Sequence, residues 1–302
     1  MRNIFYVCFT VLGLVIFQLG VYGQKTAGQL TKSPASQSEE LSPDYKTIKA
    51  TAWNDSTLAT GVVWKHYHFS NLFASNQFVN VLDVNLSVAE IAIDIPHVTE
   101  GFIKTSQAAL DNGATAAING SYFNTTAGGS TVFFRKNGII VKNTEEGFTH
   151  YRENGAFAIT RENSPAIIKR PSSGWESADS ETILSSGPLL IYGNEIIEQE
   201  QTAFNLNRHP RTAIGITANN HIIAVVVDGR NAQSQGMNIE ELSILMKALG
   251  CVEALNMDGG GSSTMWINNK GVVNHPSDNK LFDNEGERGV ATIITFKGNY
   301  HK

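Results

Sequence analysis

Cysteine is nearly absent from this chain. There are 2 in 302 residues, Cys8 and Cys251, and Cys8 lies in an apolar N-terminal run that reads as a removable export signal. With that run gone one thiol remains, so no intramolecular disulfide can form. Cys251 follows Gly250 and precedes an apolar strand, which reads as a small core residue and not a nucleophile. An excess of basic charge is also missing: 23 Lys and Arg stand against 28 Asp and Glu, a net charge of -5. That excludes a general nucleic-acid binder and a basic face for an anionic membrane. Any anion must be recognised by a few local cations. There is no internal repeat or coiled-coil heptad pattern.

What is present begins with an address. Arg2 precedes an apolar run from Ile4 to Phe17, extended by Leu19 and Val21, and Gly23 offers a small residue for cleavage before Gln24. Residues 1–23 are read as a signal peptide, with an uncleaved membrane anchor as the competing reading. No basic flank follows the run, and no lipobox precedes Cys8. The expectation is an exported protein, periplasmic, in the cell envelope or secreted, touching membrane only if the segment stays. Residues 24–45 are polar, mixed and poor in aromatics, a flexible tether. Residues 46–302 form the domain.

Within it, short apolar runs alternate with turn signals. Phe78–Val84 and Val88–Ile95 alternate with period two and read as paired strands. A helix is predicted near Thr105–Asn112, stopped by Gly113. Asn137-Gly138 marks a tight hairpin between Val132–Phe134 and Ile139–Val141. Further strands fall at 114–118, 155–160, 189–192, 212–216, 221–227, 252–257, 263–267 and 290–296. Ile239–Leu249 is the clearest helix: Asn238 caps it, Glu241 completes a capping box and Gly250 stops it. Strands outnumber helices and come in runs. The fold class is therefore α+β, with mixed, mostly antiparallel sheets and a few flanking helices.

Asp258-Gly259-Gly260-Gly261-Ser262 is the most unusual segment. Three adjacent glycines weaken any strand or helix, so they mark a sharp turn or a close approach. Such a turn can cradle an anion on its N–H groups, with the hydroxyls of Ser262, Ser263 and Thr264 beside it. Four more polar clusters end apolar runs: Asn119–Phe123; Ser185–Pro188; His209–Gly215 with Arg211; and Asp228–Arg230, followed by Ser234, Gly236 and Met237. Asn274, Asp278 and Glu287-Arg288 follow the glycine loop.

Taken in this order, the clusters resemble the phosphodiester glycosidase domain family, over about Val79 to Phe296. The Asp-Gly-Gly-Gly-Ser, Asn-Gly-x-Tyr-Phe and Arg211 segments are specific as a set. The segment Glu287–Thr292 departs from the pattern, which leads one to expect proline and asparagine near Gly289 and Thr292. The resemblance implies a free-standing exported form of the domain, acting on a glycosyl phosphodiester or phosphorylated glycan. It would release free sugar and a phosphomonoester. Asp258, Asp228 and Glu287 are the candidate catalytic carboxylates. Arg211, Arg230 and Arg288 are the candidate phosphate ligands, because a guanidinium pairs two oxygens at once. His209 is a possible acid. Asn119 and Asn256 have amides suited to sugar hydroxyls, Tyr122 could stack on a sugar, and Gly259, Gly260, Gly261 and Ser262 would line the site. This chemistry requires no cofactor. A structural calcium or magnesium ion on Asp228, Asp258 and Asp278 stays open. So do two other readings: a metal-dependent phosphodiesterase, and a non-catalytic module binding phosphorylated glycans.

Overall fold

The computed structural model describes residues 42–87, 91–162 and 164–298. The predicted signal segment and nearly all of the tether lie outside the described residues. The tether's predicted end at 45 is too late. Helix α1 spans Pro43–Ala50, with Ser42 Oγ accepting from Tyr45 N–H at 3.1 Å. Proline in the first turn and serine as cap start the helix there. The other helices are α2 (Thr105–Asp111), α3 (Ala203–Leu206) and α4 (Ile239–Ala248). The predicted capping box of α4 is present in full. Among the described residues no helix is long and apolar enough to cross a membrane.

Three sheets carry the fold, and their strands pair antiparallel. The largest has eight strands, in the order Asn54–Ala59, Val62–Leu72, Ser75–Asn85, His221–Val227, Arg211–Thr217, Cys251–Asn256, Leu189–Tyr192 and Glu195–Ile196. A five-stranded sheet is centred on Thr182–Ser186, and another on Ala116–Asn119. The architecture is α+β, as the run of short strands implies.

Alternation decides the layers. In Ser75–Asn85, Val79 and Val81 face α1 and α4, packing with Leu242, Leu245 and Met246. Leu82 and Val84 face the other way, into a core with Ile118, Phe157, Leu184 and Phe296 from the two smaller sheets. A strand covered on both faces reads as an unbroken apolar run, as Ile222–Val227 does. Each such side chain contributes about 1.5–3 kcal/mol on burial.

One predicted pairing and one predicted strand fail. Ile91–Asp94 does not pair with Ser75–Asn85; it pairs with Ile293–Gly298 in another sheet. Local alternation says that a strand is half buried, not which neighbour it takes. The predicted closing strand 290–296 is two strands, Gly289–Val290 and Ile293–Gly298, in different sheets. Thr292 marks the change: its carbonyl accepts from Gly120 N–H and its hydroxyl from Ser121 N–H, at 2.7 and 2.9 Å. The hairpin at Asn137-Gly138 forms with both residues at positive φ, but its first strand is Phe134–Lys136.

Candidate active site

Four strand ends meet at one edge of the molecule. Asn119 closes the strand from Ala116, Arg211 opens its strand, Asp228 follows Val227 and Asp258 follows the strand ending at Asn256. Two backbone contacts fix this place: Asp258 N–H donates to Gly120 O at 3.1 Å, across to another sheet, and Met257 N–H to Thr212 O at 2.8 Å within its own.

The glycine turn is a close-approach device. A side chain at Gly259 would strike Pro210 O at 2.7 Å, and one at Gly260, where φ is +65°, would meet Arg230 Nη2 at 2.9 Å. At Gly261 it would overlap the ion pair of Asp278 and Arg288. Three cationic or anionic side chains thus lie directly on the turn. The turn is not the expected amide cradle. Gly260, Ser262 and Ser263 spend their N–H groups on Pro210 O, Gly259 O and Gly260 O. The hydroxyls of Ser262, Ser263 and Thr264 are buried, so they do not line a surface. Ser262 turns towards Asp258 instead.

Asp258 is half-buried at the bottom of this edge. Burial raises its carboxyl to about 6, although the Ser262 hydroxyl, Arg152, the Gly259 N–H and Arg288 all favour the ionised form. Its hydrogen bonds come from its own turn, not from another segment of the fold.

The other two are elsewhere in role. Asp228 is 1% exposed. Its Oδ1 accepts from Asn274 Nδ2 at 3.0 Å and His275 N–H at 2.9 Å, while Oδ2 meets His275 Nδ1 at 2.7 Å. Glu287 caps α2: Ser106 N–H and Ser106 Oγ donate to its two oxygens at 2.8 and 2.6 Å. Both carboxylates are thus held by donors from other segments of the fold. Asp228, Asp258 and Asp278 also do not form a cation cage; among the described residues no three acidic, His or Cys groups converge as one.

The arginines divide in the same way. Arg211 is buried, with Nε donating to Met237 O at 2.9 Å and Nη2 to Phe204 O and Asn207 O at 2.7 and 3.1 Å. Burial pulls it down to about 10. It ties α3 to the sheet and is a brace, not the expected phosphate fork. Arg230 is exposed, at φ +63°, and reaches across Gly260. Arg288 pairs bidentately with Asp278 at 2.7 and 2.6 Å beside Gly261.

Arg152 was not among the candidates. Its guanidinium lies 4.3 Å from the Tyr122 ring centroid and 4.4 Å from that of Phe204. Its Nε is buried without an acceptor among the described residues. Arg170 nearby is paired with Glu153, whereas Arg152 has no carboxylate at ion-pair distance among the described residues. Its field reaches Asp258 and Tyr122. The signal was present: Tyr151-Arg152-Glu153-Asn154 is a polar cluster directly before the strand Gly155–Ile159, like the five that were read.

The amides and the tyrosine are scaffolding. Asn119 donates to Asp258 O at 2.7 Å and accepts from Thr212 Oγ1 and Thr264 N–H. Asn256 donates to Gly187 O, Met257 O and Tyr122 OH. Both are wholly buried, so neither meets a sugar hydroxyl. Tyr122 donates to Gly187 O at 2.5 Å, and burial pushes its hydroxyl up to about 12. Arg152 lies over its ring. His209 is held below the usual imidazole range by burial and by Arg211 and Arg230. These surroundings disfavour its imidazolium form.

Residues 112–297 match the family model for phosphodiester glycosidase. N-acetylglucosamine-1-phosphodiester alpha-N-acetylglucosaminidase of Bos taurus is 25% identical over 208 residues, 62% of this chain and 38% of that protein. The SPbeta prophage-derived uncharacterized protein YomE of Bacillus subtilis (strain 168) is 23% identical over 225 residues, 58% of this chain and 34% of that one. The chain thus spans little more than a third of the length of these curated relatives. A solved zebrafish N-acetylglucosamine-1-phosphodiester alpha-N-acetylglucosaminidase catalytic domain, auto-inhibited by its pro-peptide, has the same fold. The TM-score is 0.62 at 19% identity, over 83% of this chain and 85% of that chain. A hypothetical protein from Synechocystis superposes with a TM-score of 0.61 at 14% identity, over 82% and 64%.

Proposed function

Because this chain belongs to the phosphodiester glycosidase family, we propose that it hydrolyses a sugar-1-phosphodiester outside the cytoplasm, giving free sugar and a phosphomonoester. An N-acetylglucosamine-1-phospho-glycan is the model substrate, after the activity named for the bovine relative. Export rests on the apolar N-terminal run behind Arg2.

One observation carries the reading: the carboxylate of Asp258, held by its own turn, sits on three glycines among Arg152, Arg230 and Arg288. Breaking a glycosyl phosphodiester asks for two things. The departing phosphate must have its charge neutralised, and the positive sugar centre must be met by a carboxylate. The arginines serve the first and Asp258 the second. Phosphate is a good leaving group, so no strong proton donor is needed. Asp258, as nucleophile or as the base for water, directs attack to the anomeric carbon. No cofactor enters this scheme.

The test is turnover of a chromogenic sugar-1-phosphodiester by the purified protein in oxygen-18 water. Attack at carbon leaves the phosphomonoester unlabelled. Label in the phosphomonoester means attack at phosphorus and overturns the scheme. Binding of the panel without any turnover favours the non-catalytic module.

A further inference from the structure

A cleft of about 460 Å³ adjoins the Asp258 turn, lined by Phe102, Phe123, Thr125, Arg288 and Gly289. Arg288 belongs to both places: its guanidinium sits beside Gly261 and acts on Asp258 while bordering the cleft. Phe102 is 47% exposed, a large apolar side chain left in the open. A lone exposed aromatic is ordinary on a protein surface. This one is held in place from several sides. Gly101, before it, bridges to Gly128 and donates to Ala127 O at 3.0 Å. Ile103 and Lys104, after it, pair with Val290 and Gly289. Its ring stands edge-on to Phe123 at 5.9 Å. A side chain at Gly289 would come within 2.8 Å of Phe102 Cβ, so glycine there leaves the ring its position.

We infer that this cleft is the subsite for the departing half of the substrate, with the pyranose next to the phosphate resting on Phe102 and the phosphate held at Arg288. The assignment of which half departs rests on the glycosidase reading above. A fixed aromatic face suits the C–H face of a pyranose and needs no reorganisation to receive it. The exposed Thr125 adds a hydroxyl for the sugar's own. Arg288, already oriented by Asp278 through Nε and Nη2, keeps Nη1 for a phosphate oxygen.

Calorimetric titration of the full chain tests this without turnover, using glucose 6-phosphate, methyl phosphate and glucose as probes. Glucose 6-phosphate should bind roughly tenfold tighter than methyl phosphate, the size of one sugar–aromatic contact. Phe102→Ala should erase that difference and Phe102→Tyr should keep it, both melting like the wild type. Equal affinity for the two phosphates in the wild type, no binding of either, or a preference that survives in Phe102→Ala each overturns the subsite. The two readings fail separately. Turnover at carbon without a pyranose preference sinks the subsite alone, and a pyranose preference with label in the phosphate sinks the glycosidase scheme alone.

Discussion

Asp228 and Asp258 invite comparison because the chain writes them alike. Each is an Asp-Gly at the end of an apolar strand, and the two strands flank Arg211–Thr217 in one sheet. Their fates are opposite. The segment carrying Asn274 and His275 folds over Asp228 and fills its oxygens. Asp258 is met instead by its own turn, through the Ser262 hydroxyl and the Gly259 N–H, with the cations Arg152 and Arg288 near it. Arg211 and Arg152 repeat the contrast: one is spent on three carbonyls, the other lies on aromatic faces without a carboxylate partner. Residue type makes a group capable of chemistry. Whether it stays available depends on whether a neighbouring segment supplies donors and acceptors for it.

The sharpest way to break the comparison is to neutralise Asp258. Asp258→Asn should lower kcat by about a thousandfold, whereas Asp228→Asn should act mainly on stability. If Asp228→Asn alone silences a folded protein, the two roles are reversed. The Asp258 variant should also be the more stable one in base. Its carboxyl ionises near 6 in the folded chain against an ordinary value of 3.8. The folded state therefore holds the proton through that window, and stability falls as pH rises from about 4 to 6. Asp258→Asn removes that cost, about 3 kcal/mol at pH 8, and melting curves should converge towards pH 4. The rate of the wild type should climb with pH through about 6, since the ionised carboxylate is the working form.

Next in size, Arg211→Ala should cost about 3 kcal/mol of stability, because three buried carbonyls lose a charged donor. Denaturant midpoints would register it. A phosphate role would instead appear as a rise in KM at unchanged midpoint. Arg152→Ala should do the reverse. It should lower kcat/KM for a phosphodiester by roughly tenfold to a hundredfold, with little change in midpoint and less effect on an uncharged aryl glycoside. The smallest effect belongs to Glu287→Gln. Loss of the charged cap of α2 should cost about 1 kcal/mol and leave kcat near that of the wild type.

Legibility followed the range of the signal. The capping box of α4, the stop at Gly113 and the hairpin turn at Asn137-Gly138 are written within a few residues, and they formed, the hairpin with its first strand two residues later than expected. The glycine triplet announced a close approach, and the turn has one at each glycine. The pairing of Ile91–Asp94 and the split closing strand depend on segments some two hundred and some hundred and seventy residues away in the chain. Arg152 went unread because its partners Tyr122 and Phe204 come from distant segments and are not polar neighbours.

The sequence by itself determined the fold class, the thiol-poor core, the strand ends where polar residues gather and the family those clusters resemble. Periodicity, capping and turn chemistry are local properties of the chain, so they can be read along it. Only the tertiary structure decided which Asp-Gly is sealed by His275, which arginine braces α3, and that Glu287 caps a helix. Those outcomes depend on hydrogen-bond partners from segments far apart in the chain. A buried polar group takes whatever donor or acceptor the packing brings to it.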